Sequence, residues 1–65
     1  MNNDYEEMGE RLLRIKDVAN ILGISARGVY RLKAERKLKL VHVGRAARIA
    51  LSELRRYIAS IKAEA

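Results

Sequence analysis

Two residues, Gly23 and Ser25, restrict this chain more than any others. They sit inside the stretch ILGISARGVYRLKAERK, residues 21 to 37. Before them, Ile15, Val18, Ala19 and Leu22 follow the i, i+3, i+4, i+7 spacing of one helix face. The spacing predicts a first helix over about 16–22. Gly23 suits the left-handed residue that ends a helix. Ser25 is a good N-cap, so a second helix is expected over about 26–36. Val29 and Leu32 form its apolar face, with Ala26 or the Arg36 stem beside them. Two short helices joined by Gly-Ile-Ser make a helix-turn-helix pattern.

The flanks complete the architecture. RLLRI, from Arg11, reads as a short strand with Leu13 and Ile15 on one side. Asp17 in the first turn of the first helix favours the positive end of its dipole. Arg14 and Ile15 offer that helix no acceptor as a cap. After the second helix, LKLVHVGRAARIAL shifts from period 3.6 to period 2. A hairpin is expected there, with a three-residue loop of Gly44, Arg45 and Ala46. That loop opposes Val43 to Ala47 and Val41 to Ile49, with Val41 and Val43 facing the core. A two-residue loop would oppose Arg48 to Val41, and a one-residue slip flips every side chain. The hairpin thus carries Arg45 at its tip, and Arg48 and His42 on its outer face. Ser52 is the expected cap of a third helix over about 53–62, whose apolar face is Leu54, Tyr57, Ile58 and Ile61.

The chain has 65 residues and neither cysteine nor proline. One small domain over 11–65 is expected, braced by apolar packing alone. Phe and Trp are absent, so Leu, Ile, Val and Ala fill its core. Charge is unevenly spread over the net +6. Residues 1–10 carry Asp4, Glu6, Glu7 and Glu10 and no base, and read as an acidic, disordered arm. Residues 11–48 carry eleven bases against Asp17 and Glu35, a balance of +9. A field of one sign this strong favours a polyanionic partner. The chain has no long apolar run and no basic-then-apolar leader, so a soluble cytoplasmic protein without a membrane partner is expected.

Catalysis is not expected. One His, no Cys and two separated carboxylates in the basic segment give no convergent set of nucleophile, acid or metal ligand. No cofactor or metal is implied. The basic residues are more informative. Arg27 and Arg31 stand one turn apart on the second helix, with Tyr30 beside them. Ser25 and Ala26 lie at its amino end, where free amides attract phosphate. A helix entering the major groove needs long donors toward bases and phosphates, and small residues where it comes closest. Ala26 and Gly28 would permit that approach. Arg45 and Arg48 suit a wing reaching the backbone or minor groove. Lys33, Arg36, Lys37 and Lys39 read equally as phosphate contacts or as a solvated basic face.

Residues 12–58 resemble the small winged-helix DNA-binding proteins of the excisionase and AlpA group, distant relatives of the MerR-type headpiece. KDVANILGIS, VYRL, VHVGRAARI and SELRRYI carry the resemblance by their order and spacing. It implies a mainly α fold with a β-hairpin, in the order strand, helix, turn, helix, wing, helix. It also implies duplex DNA as partner, with the second helix in the major groove and the wing on flanking backbone. Ala26, Arg27 and Gly28 fall at the start of that helix. Tyr30 and Arg31 match a backbone-contacting pair, and Arg45 and Arg48 match wing arginines. The sequence departs from the pattern at Arg14, where a capping Thr or Ser is usual, and at Arg36, where glycine is usual. Ala26 and Gly28 replace Arg and Thr, Ala47 a bulkier residue, and Ala50 a proline.

The expected function is therefore sequence-specific DNA binding by Ser25, Ala26, Arg27, Gly28, Tyr30, Arg31, Lys33, Arg45 and Arg48. The first reading is an excisionase, or recombination directionality factor. It would bind adjacent sites cooperatively, bend DNA and direct a site-specific integrase in the nucleoid. An AlpA-type transcription regulator is the alternative. A protein-interaction module without DNA binding is a third, and it leaves the +9 segment unexplained.

Overall fold

The computed structural model describes residues 11–65, so the acidic arm lies outside the described residues. Strand β1 (Leu12–Arg14) leads directly into helix α1 (Ile15–Leu22). Helix α2 (Ala26–Ala34) follows the turn. Strands β2 (Val41–Val43) and β3 (Ala46–Ala50) precede helix α3 (Leu51–Glu64). The three strands form one antiparallel sheet in the order β1-β3-β2. The result is a small winged helix-turn-helix with the expected element order.

The helix-turn-helix half follows its local signals. Gly23 has φ +71° and closes α1, with backbone N–H groups of Gly23 and Ile24 donating to Asn20 and Ala19. Ser25 Oγ accepts from the Gly28 amide at 3.1 Å, the expected N-cap of α2. The poor cap of α1 has a remedy in Asp17. Its carboxylate accepts from the Arg14 backbone N–H at 3.3 Å, which supplies half of a capping box. Val18, Ala19 and Val29 are buried where the two helices cross.

Helix α2 ends at Ala34, two residues before the expected boundary. Arg36 takes φ +64°, the only left-handed non-glycine among the described residues. Its amide donates to Lys33, and the Lys37 amide donates to Leu32, which turns the chain out of the helix. The left-handed backbone costs a residue with a Cβ about 1–2 kcal/mol. Arg36 therefore does not extend the apolar face of α2, as the sequence suggested. Leu38, 2% exposed, fills that place in the core.

The hairpin corrects the expected register. Its loop has two residues, Gly44 and Arg45, and Val43 faces Ala46, His42 faces Ala47 and Val41 faces Arg48. Gly44 has φ +63° at the first loop position, where a type II′ turn places glycine. The physical reason lies in which residues reach the core. Val41 and Val43 are 37% and 59% exposed, and β2 contributes no buried residue. Burial comes instead from β3, where Ile49 is fully buried opposite Leu13 of β1. Arg48 does lie on the outer face, as expected, although Val41 and not solvent stands across from it. His42, expected outside, shares the Ile49 face of the sheet and is exposed because it lies toward the hairpin tip.

Helix α3 begins at Leu51, with Ala50 in the N-cap position and Ser52 inside the first turn, so Ser52 is not the cap. The ladder explains the shift. The Leu51 amide donates to the Arg11 carbonyl at 2.7 Å, so β3 passes into the helix without a break. Leu54 is buried, Tyr57 and Ile58 are half-buried, and Ile61 emerges from the core at 40% exposure. A latch ties α3 to the segment after α2. Glu53 accepts from the Lys39 amide at 3.2 Å and pairs with Arg56, whose guanidinium also donates to the Lys37 carbonyl. The Arg56 hydrogen bond, aided by the Lys39 amide and opposed by burial, holds the Glu53 carboxyl below its ordinary range.

Candidate nucleic-acid interface

The expected residues fall into two groups and one outlier. With Val29 buried and Leu32 half-buried, the opposite side of α2 points outward. Arg27, Tyr30 and Arg31 occupy it at i, i+3 and i+4, so they form one continuous strip. Tyr30 is 47% exposed. Ser25 and Ala26 stand at the amino end of that strip. Among the described residues, the Glu35 and Glu53 carboxylates pair with Lys37 at 3.4 Å and with Arg56. The Arg27 and Arg31 guanidiniums thus face solvent without a carboxylate partner among those residues.

Gly28 has an internal reason for its identity. A Cβ there would stand 3.1 Å from Ile24 Cδ1, tighter than nine in ten such contacts. The missing side chain makes room for Ile24 across the turn. Ala26 remains exposed and small at the helix start.

The second group is the hairpin. Arg45 is exposed in the loop. Arg48 is half-buried and donates from Nη1 to the Ala47 carbonyl at 2.8 Å. Its cross-strand neighbour on β1 is Arg14. Two arginines directly opposite on one sheet face repel each other unless an anion lies between them. Spacing alone marks Arg14 only as a poor cap, because the pairing of β1 with β3 has no local signature.

Lys33 is the outlier. By the 3.6-residue turn it lies about 120° round α2 from Arg27. It borders a cleft with Arg36 and Lys39, two residues that periodicity left ambiguous. The described residues contain no group of three or more His, Cys, Asp or Glu able to hold a metal ion. None of the described helices is long and apolar enough to cross a membrane.

An exposed basic strip on the second helix of a helix-turn-helix, beside a hairpin bearing arginines, defines a small winged-helix protein of the DNA-binding class. The family model for the helix-turn-helix domain matches residues 12–62, and the chain belongs to that family of excisionase- and AlpA-like small DNA-binding proteins. No curated protein and no solved structure matches the chain.

Proposed function

We propose that the chain is a sequence-specific double-stranded DNA-binding protein that acts as a recombination directionality factor. The observation that carries the reading is the exposed strip of Arg27, Tyr30 and Arg31, without a carboxylate partner among the described residues, on a helix capped by Ser25. In this reading α2 enters the major groove with Ala26 and Arg27 nearest the bases. Tyr30 and Arg31 hold the backbone, and Arg45 and Arg48 reach flanking phosphates or the minor groove. Lys33 contributes from the side of the helix. Copies bind adjacent sites, bend the DNA and direct an integrase. Exposed Val43 and Ile61 support contact between neighbouring copies. The protein then resides with the nucleoid in the cytoplasm.

Affinity selection of fragmented host and mobile-element DNA, followed by footprinting, tests this. Tandem protected sites beside an integrase attachment site are expected. Sites over a promoter would favour the AlpA-type regulator, which uses the same helix and wing. No enrichment over bulk DNA would sink sequence-specific binding altogether. Arg27→Ala is expected to reduce discrimination between sites, and Arg31→Ala to weaken all duplexes alike.

A further inference from the structure

Arg36 presents an unusual combination. Its backbone is left-handed, φ +64°, at the position just past a helix where glycine is least strained. Its side chain lines a cleft of about 460 Å³ between the end of α2 and α3. Lys33 and Lys39 line the same cleft, over a floor that includes buried Leu38 and half-buried Leu40. The one carboxylate there, Glu53, already accepts from Arg56 and from the Lys39 amide. Arg56 lines the cleft too, paired with Glu53, so among the described residues Lys33, Arg36 and Lys39 are the cations there with no carboxylate partner.

We propose that Arg36, with Lys33 and Lys39, forms a phosphate-binding subsite for the DNA backbone, separate from the strip on the exposed face of α2. Lys33 follows Tyr30 by three residues, so it joins that strip to the cleft. A strand running past the end of α2 therefore meets the cleft at the phosphate flanking the groove. Arginine is kept at a strained position because its guanidinium grips that phosphate with paired donors, which glycine cannot do. The inference rests on the DNA-binding reading, but its test is separable from it.

The test compares wild type with Arg36→Gly, Arg36→Asn and Arg36→Lys for thermal stability and for binding to the selected duplex over a range of salt. Arg36→Gly is expected to raise Tm by about 4–8 °C, because glycine adopts the backbone without strain. The same variant is expected to bind roughly eightfold more weakly at 0.1 M salt, with a salt slope shallower by about 0.9, the signature of one lost phosphate contact. Arg36→Asn, neutral yet tolerant of the left-handed backbone, should weaken binding similarly. Arg36→Lys should keep the wild-type slope, because its charge remains, but bind more weakly for want of paired donors. Unchanged affinity and slope in Arg36→Gly and Arg36→Asn would overturn the subsite while leaving DNA binding intact. Failure of wild type itself to bind duplex would instead overturn the parent reading. A further arm titrates inorganic phosphate into the free protein. Saturable phosphate binding lost in Arg36→Gly, with DNA binding unchanged, would assign the cleft to a free phosphorylated ligand and overturn the DNA contact.

Discussion

The two halves of the molecule are stabilised in different ways. In the helix-turn-helix, each boundary is set within a few residues of itself. Gly23 closes α1, Asp17 and Ser25 satisfy free amides at 3.3 and 3.1 Å, and Val18 and Val29 are fully buried between the helices. In the wing, order comes from distant partners. Strand β2 buries nothing and is held by its pairing with β3, which is itself anchored by Ile49 against Leu13, 36 residues away along the chain. A rigid helix and a lightly held hairpin suit a protein that places one element in a groove and lets another adapt to the backbone beside it.

Three stability measurements sharpen this contrast, in decreasing order of expected effect. Ile49→Ala should cost about 2–5 kcal/mol, since it opens a cavity where sheet and helices meet. For so small a domain this is a large share of the total stability. Loss of less than about 1 kcal/mol in urea denaturation would mean that the sheet does not anchor the wing. Ser25→Ala should cost about 1 kcal/mol by removing the α2 cap. Amide exchange should then speed up first in α2 and leave the hairpin unaltered. Uniform acceleration across both halves would erase the distinction between them. Val43→Thr should change stability by less than about 0.5 kcal/mol, because Val43 is 59% exposed. The three-residue loop would have made the same change a costly core substitution.

The latch gives a pH-dependent comparison. Glu53 has its folded pKa lowered by Arg56, so its stabilisation is present above its ordinary value of 4.5 and is lost as pH falls through the lower folded value. Melting of wild type should therefore decline between pH 5 and acid by more than that of Glu53→Gln. Parallel declines would show that the latch contributes nothing to the join between α3 and the segment after α2.

The same contrast explains what the sequence made legible. The α1 and α2 signals are local: a left-handed glycine, a capping serine and period-3.6 burial, so those helices and the Arg27, Tyr30 and Arg31 strip follow from residues 15–32 alone. The hairpin register does not. Val41 and Val43 look like a core face by alternation, but they are 37% and 59% exposed, and the sheet's burial comes from Ile49 of β3. The pairing of Arg14 with Arg48 depends on β1 joining β3, a contact with no sequence signal at either end. Arg36 could be seen to stand where glycine is usual, yet only the structure shows its φ and its convergence with Lys33 and Lys39. At Gly28 a Cβ would stand 3.1 Å from Ile24 Cδ1, a contact across the turn that spacing alone does not show.

The most direct test of the central claim is the salt dependence of wild-type binding to its selected duplex. If about five basic groups meet phosphates, log affinity should fall against log salt with a slope near −4 to −5. A slope near zero would contradict the claim that this basic surface is built to lie against DNA.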